Sequence, residues 1–67
     1  MYVVYADYGD SAPYNGGGEY FSAPFRSLNV AISHAQAAKI KGAFYADVSL
    51  ESDVMSSVWD SDRGLLV

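Results

Sequence analysis

Cysteine is absent from the 67 residues of this chain. Its absence excludes disulfides, thiolate zinc sites and thiol nucleophiles, and it suits a reducing cytoplasm. A chain of this size makes one domain, residues 1–67, and buries only about 60% of the surface that its unfolded form exposes. We therefore expect one small domain that is not reinforced by disulfides.

Basic residues are also few, with four Lys and Arg against eight Asp and Glu and a net charge of −4. A nucleic-acid-binding domain would be expected to carry the opposite sign, because phosphate neutralisation supplies most of the non-specific affinity. Anionic lipid is disfavoured for the same reason. We expect no direct binding to nucleic acid or membrane. The charge either favours a basic protein partner or merely keeps a small domain in solution.

Long apolar runs are missing too, since none approaches the ~20 residues that a membrane helix needs. No basic leader followed by an apolar segment marks a signal peptide. The composition is nevertheless 51% hydrophobic, with six tyrosines, three phenylalanines and one tryptophan, which is too apolar for a disordered tail. We expect a soluble, folded, cytoplasmic protein.

Two segments before the middle of the chain alternate as strands do. Residues 2–8 place Tyr5 and Asp7 on the predicted solvent face, with Val3. Residues 19–26 place Phe21, Ala23 and Phe25 on one side, and Pro24 indicates an edge or bulged strand. Residues 9–18 between them, rich in Gly with one Pro, predict a long loop that is either mobile or functional.

The remaining elements follow from capping and periodicity. Ser27 predicts the N-cap of a helix from 28 to about 41, which Gly42 ends. Its apolar stripe comprises Leu28, Ala31, Ile32, Ala35 and Ala38. Residues 43–50 predict a strand with Phe44, Ala46, Val48 and Leu50 facing inwards and Tyr45, Asp47, Ser49 and Glu51 facing outwards.

Residues 54–60 suit either a strand or a short helix capped by Ser52. We favour the strand, because a helix would leave a three-stranded sheet with an exposed edge. Residues 60–64 predict a turn, and 65–67 a final short pairing. The expected fold is α+β, an antiparallel sheet of four to five strands with one helix on one face, in the order β-β-α-β-β.

Groups for catalysis are scarce. His34 is the one histidine. It lies at the flank of the apolar stripe near lysines and a glutamine, and a single titratable group without partners makes a poor site, so we interpret it as a surface or boundary side chain. Asp60, Asp62 and Gly64 lack the spacing of a calcium loop, and the glycines before Glu19 lack the lysine of a phosphate loop. We therefore predict no enzyme, no catalytic residue, no metal and no cofactor.

Carboxylates and aromatic rings recur on the predicted outward faces and turns. If 2–8 pairs with 43–50, one face of the sheet presents both groups together. Such a face is either simply solvated or a recognition surface, since Tyr and Trp are enriched at interface hot spots and carboxylates pair with arginine. The candidate partner-binding residues are Tyr5, Asp7, Tyr45, Asp47, Glu51, Asp53, Trp59, Asp60 and Asp62.

The layout of strands YVVYADY and EYFSAPFR, helix SLNVAISHAQAAK and strands AFYADVSL and VMSSVWD resembles small phage-encoded anti-CRISPR proteins of the acidic, DNA-mimicking kind. The resemblance implies an inhibitor in the host cytoplasm that binds a CRISPR effector complex at its basic DNA-binding surface and blocks target recognition. The alternative is a self-associating phage structural or regulatory domain, in which a stripe including Met55 and Trp59 or an edge strand forms a homodimer.

Overall fold

A computed structural model of the chain describes residues 1–9 and 18–66, and it shows an α+β fold with one helix packed against one antiparallel sheet. Residues 10–17, most of the predicted 9–18 loop, lie outside the described residues. The strands stand in the order β2-β1-β3-β4-β5. The elements are β1 (Tyr2–Asp7), β2 (Glu19–Phe21), α1 (Leu28–Ile40), β3 (Tyr45–Leu50), β4 (Asp53–Asp60) and β5 (Gly64–Leu65).

Helix α1 begins and ends where its capping residues predict. The Ser27 hydroxyl accepts a hydrogen bond from the Val30 backbone N–H at 3.3 Å, which satisfies one of the free donors of the first turn. Gly42 follows the C-cap with a φ of 116°, a conformation that a side chain would disfavour. Within the described residues, no helix is long and apolar enough to cross a membrane.

The core lies between α1 and one face of the sheet, called here the helix face. Ala31 and Ala35 of α1 are completely buried, as are Ala46 and Val48 of β3. Because alanine is small, the helix approaches the sheet closely and contacts both β1 and β3. The alanines of the predicted stripe thus form the centre of the core, and its larger members Leu28 and Ile32 pack against them.

The inward position of Phe44 is a wrong prediction. Its side chain is 63% exposed, because β3 begins one residue later and the alternation does not extend to Phe44. The ring lies against Gly9, where the Cβ of any other residue would collide with it. Ala43 is buried instead. Leu50, at the other end of β3, is also exposed, at 37%.

The segment after the loop is shorter as a strand than predicted, and its edge position is confirmed. Tyr5 pairs with Phe21 and Tyr2 pairs with Phe25, so β1 advances three positions where its partner advances four. The extra residue reverses the alternation. Phe21 and Phe25 therefore lie on opposite faces of the sheet, and the prediction that they share a side is wrong.

Strand β4 is a strand, as favoured, and it carries a large bulge. Ser49 and Leu50 are adjacent in β3, but their partners Ser57 and Asp53 are four positions apart. Residues 54–56 consequently have no opposite residue, and they are called here the 54–56 bulge. The Asp53 carboxylate holds it, because it accepts hydrogen bonds from the Met55 N–H at 3.3 Å and the Ser56 hydroxyl at 2.7 Å.

Candidate functional site

The side of the sheet opposite α1, called here the tyrosine face, brings together the side chains that alternation predicts. In the register Tyr5 lies opposite Asp47, and Asp7 lies opposite Tyr45. Directly opposed residues of neighbouring strands point to the same face, so all four share it. Their role in binding stays a prediction. Asp7 also has a structural task, since its carboxylate accepts a hydrogen bond from the Gly9 N–H at 2.9 Å.

Both tyrosines of this face donate to carboxylates. The Tyr5 hydroxyl donates to Glu19 at 2.7 Å, and this hydrogen bond is the main reason that the pKa of Tyr5 rises to about 12. The Tyr45 hydroxyl donates to Asp47 at 3.1 Å, and burial raises the pKa of Tyr45 to about 12 as well. The phenols therefore stay neutral near pH 7 and serve as oriented donors and aromatic surface.

Asp47 lies in the middle strand of the face and is half-buried. Its Oδ2 atom accepts hydrogen bonds from the Tyr45 and Ser57 hydroxyls, both at 3.1 Å. Burial nevertheless raises the pKa of Asp47 above its ordinary value, because the charged form loses hydration. The carboxylate is held in a fixed orientation by neutral groups.

Asp47 has no cationic partner. Arg63 with Asp60 is the one ion pair among residues 1–9 and 18–66. Positions 10–17 and 67 contain no Lys, Arg or His, so the rest of the sequence offers no cation either. Within the described residues, Lys39 is turned to the backbone oxygen of Phe44 at 2.8 Å. The Asp47 carboxylate is therefore not neutralised by an ion pair within the chain.

A groove of about 280 Å³ opens on the tyrosine face beside Asp47. Its rim is apolar and exposed, since Met55 is 90% exposed, Phe21 60% and Val54 52%. The rings of Tyr5 and Phe21 lie 5.0 Å apart at a tilt of 52° and form one wall. The lining residues are Tyr5, Phe21, Asp47, Ser49, Val54, Met55 and Ser57.

Two predicted site residues are buried. Trp59 lies opposite Val48, so it points to the helix face and is only 9% exposed; its predicted place among the outward residues is wrong. Asp60 does point to the tyrosine face but is 1% exposed, so its predicted availability to a partner is wrong.

The Asp60 carboxylate is hydrogen-bonded to the turn that follows it. It accepts hydrogen bonds from the N–H groups of Arg63 and Asp62 and pairs with the Arg63 guanidinium at 2.7 Å. These contacts, led by the Arg63 N–H, lower the pKa of Asp60 below its ordinary value. Asp60 therefore stabilises the β4–β5 connection.

The other predicted carboxylates are exposed on connections outside the groove. Glu51 lies in the β3–β4 turn, Asp62 in the β4–β5 turn, and Asp53 at the start of β4. Of the three, Asp53 is engaged in holding the 54–56 bulge. They extend the negative surface but do not line the groove.

Sequence reasoning did not assign part of the groove, namely Phe21, Ser49, Val54 and Ser57, to the partner-binding site, and it named Met55 only in the self-association alternative. The position of Phe21 on the tyrosine face follows from alternation once the pairing of β2 with β1 is known, because Phe21 lies opposite Tyr5. Glu19, which accepts the Tyr5 hydrogen bond, follows in the same way. Val54 and Met55 reach the rim because of the 54–56 bulge, which no local sequence signal predicts. The apolar half of the site thus depends on strand pairing.

Other features of the described residues offer less. A smaller cavity of about 120 Å³ lies between α1 and β2, near His34 and Lys41. His34 is exposed, with its ring 4.5 Å from that of Phe25. In the described part of the chain, no three His, Cys, Asp or Glu side chains are grouped to hold a metal. The groove on the tyrosine face is the best candidate site.

Comparisons with protein-family models, with curated proteins and with solved structures find no match to this chain. The function is therefore argued from the geometry of the site.

Proposed function

We propose that the chain acts by binding a cationic region of another protein through the tyrosine face. The observation that carries the proposal is the half-buried Asp47 carboxylate, which no cation of the chain neutralises. A carboxylate in that position costs free energy in the unbound protein. An arginine or lysine of a partner would offset this cost, since charge-assisted hydrogen bonds are among the strongest in proteins.

The rim of the groove supports the same proposal. Phe21, Val54 and Met55 expose apolar surface next to the charge. Burying such surface contributes about 25 cal/mol per Å². Tyrosine at the centre and apolar groups around it resemble the composition of interface hot spots, where a few residues supply most of the affinity. The charge would provide specificity for a cationic partner, and the apolar contacts would add affinity.

The partner that suits this face is a basic nucleic-acid-binding protein. The net charge of −4 opposes direct binding to nucleic acid but favours the surface that normally holds it. The resemblance to anti-CRISPR proteins implies a CRISPR effector complex, whose use of target DNA the chain would block in the cytoplasm of the host. Such an inhibitor is not an enzyme, and the proposal needs no cofactor.

The first test reverses the charge of Asp47. Purified CRISPR effector complexes are titrated with the chain, and displacement of labelled target DNA is measured at low and at raised salt. We expect wild-type chain to compete, less strongly as salt rises. We expect Asp47→Lys to lose competition, because it places a cation against a cationic surface.

Glu51→Lys is the matched control, because it makes the same change in net charge on an exposed turn outside the groove. From sequence alone, either reversal is expected to abolish binding; the structure separates them. Circular dichroism must show that both variants are folded. Equal competition by wild type and Asp47→Lys, or equal loss in both variants, would contradict a site centred on the tyrosine face.

Self-association is the second candidate function. The exposed Phe21, Val54 and Met55 favour it, because together they form an apolar patch that a second copy could cover. Trp59 contributes nothing to it, since it is buried in the core. Sedimentation velocity over a wide concentration range decides. A dimer that Met55→Ser dissociates would support this function, and a monomer at every concentration would eliminate it.

A further inference from the structure

The size of the groove limits what can enter it. Pockets for small molecules span roughly 300–1,000 Å³, and the groove, at about 280 Å³, lies just below that range. It has an open mouth on the tyrosine face rather than an enclosed interior. A single long side chain, carried by a protein surface, matches this volume better than a free metabolite or a peptide helix.

The distribution of polarity in the groove is the second constraint. The anionic group, Asp47, lies beside the hydroxyls of Ser57 and Tyr45, whereas Met55 and Val54 supply apolar rim. A fitting side chain therefore has an apolar stem and a cationic end. Lysine and arginine both meet this description.

The aromatic wall distinguishes between the two. Tyr5 and Phe21 present ring surface at the groove. The guanidinium of arginine is planar, stacks on aromatic rings, and carries five N–H donors that can serve a carboxylate and a hydroxyl together. The ammonium of lysine is compact and strongly hydrated, so it gains less from a wall of rings.

We propose that the groove is a socket for one arginine side chain of the partner, with the guanidinium on Asp47 and the stem against Met55. The proposal rests on the function proposed above, because it specifies which group of the cationic partner enters the tyrosine face. The remaining contacts of the interface would then surround this arginine and exclude water from it.

The test uses three capped tripeptides, glycine–X–glycine, in which X is arginine, lysine or citrulline. Citrulline has nearly the shape of arginine but no charge. Each peptide is titrated into ¹⁵N-labelled chain, and amide chemical shifts are followed. We expect saturable shifts at Tyr5, Asp47, Met55 and Ser57 with the arginine peptide. We expect about tenfold weaker binding with citrulline, since a hydrogen bond between charged groups is lost.

Two variants of equal net charge locate the effect. Asp47→Asn and Gln36→Lys each raise the net charge by one, but Gln36 is exposed on α1, on the other side of the sheet. We expect Asp47→Asn to weaken the arginine peptide about tenfold and Gln36→Lys to leave it unchanged. Asparagine keeps the two hydrogen-bond acceptor contacts, so the fold should survive.

Binding of citrulline equal to that of arginine, shifts scattered over Glu51 and Asp62, or equal effects of the two variants would each overturn the arginine socket. Tighter binding of the lysine peptide would overturn it too. If the socket fails while Asp47→Lys still abolishes competition with DNA, the proposed function stands and its partner uses a different group. If competition is also unaffected, both proposals fail.

Discussion

The two faces of the sheet are made by alternate residues of the same strands, yet they differ in chemistry. On the helix face, Ala6, Ala46 and Val48 are completely buried and contact apolar groups of α1. On the tyrosine face, Tyr5 and Asp47 are half-buried and engage in polar contacts. The helix face therefore supplies most of the stability of the domain, and the tyrosine face can carry groups that lower it.

Two carboxylates that lie opposite each other, Asp47 in β3 and Asp60 in β4, differ in how their charge is compensated. Asp60 is buried and satisfied by Arg63, which lowers its pKa through the backbone N–H and the guanidinium. Asp47 has only neutral donors, and burial raises its pKa. The same residue type thus stabilises the fold at one position and opposes it at the next.

Truncation of one large side chain on each face tests whether the helix face contributes more to stability than the tyrosine face. Trp59→Ala on the helix face should lower the free energy of unfolding by about 3–5 kcal/mol, because it removes a buried ring and leaves a cavity. Domains of this size have a total stability of only about 3–10 kcal/mol. Urea denaturation followed by circular dichroism measures the loss, since the single tryptophan is gone.

Met55→Ala is the control on the tyrosine face. Met55 is 90% exposed, so its truncation should change the free energy of unfolding by less than about 0.5 kcal/mol. If the two variants were equally stable, the helix face would not be the main source of stability, and the division between the faces would be wrong.

Much of the fold follows from local sequence signals. The limits of α1 follow from Ser27 and Gly42, and the alternation of β1 and β3 follows from side-chain type. The errors fall where structure depends on pairing between distant segments. Phe44 lies just before β3 starts, and Phe25 changes face because an extra residue separates it from Phe21. No local signal marks the start of β3 after Phe44. Pro24 does indicate an irregular strand next to Phe25, but it does not predict that Phe25 changes face.

The site shows the same limit. Tyr5, Asp7, Tyr45 and Asp47 follow from alternation and one assumed pairing, which the register confirms. The exposure of Asp60 and Trp59 depends on tertiary contacts, which the alternation of side chains does not predict. Trp59 points to the helix face because it lies opposite Val48, and the Asp60 carboxylate forms an ion pair with Arg63 three positions later. The apolar rim comes from the 54–56 bulge, which depends on the β3–β4 pairing.

A smaller change in the free energy of unfolding is expected when each of the two opposed carboxylates, Asp47 and Asp60, is replaced by asparagine. Asp60→Asn should destabilise the fold at pH 7, because the ion pair between the buried Asp60 carboxylate and the exposed Arg63 guanidinium is lost. Asp47→Asn should leave the free energy of unfolding within about 0.5 kcal/mol of wild type or raise it. The amide oxygen can still accept from Tyr45 and Ser57, and no charge is buried. A clear loss of stability in Asp47→Asn would mean that the charge is structural.

The smallest effect, and the most specific, is the dependence of stability on pH. Because the folded pKa of Asp47 lies above its ordinary value of 3.8, the folded state binds a proton first, so Asp47 lowers stability as pH rises above 3.8. The folded pKa of Asp60 lies below 3.8, so its stabilisation is lost as pH falls below that value. The urea midpoint is therefore measured as a function of pH above and below 3.8. Compared with wild type, Asp47→Asn should remove part of the pH dependence above 3.8, and Asp60→Asn should remove part of the pH dependence below 3.8. Profiles that changed in the same window for both variants would show that the two carboxylates titrate together, and the contrast between a satisfied and an unneutralised charge would be lost.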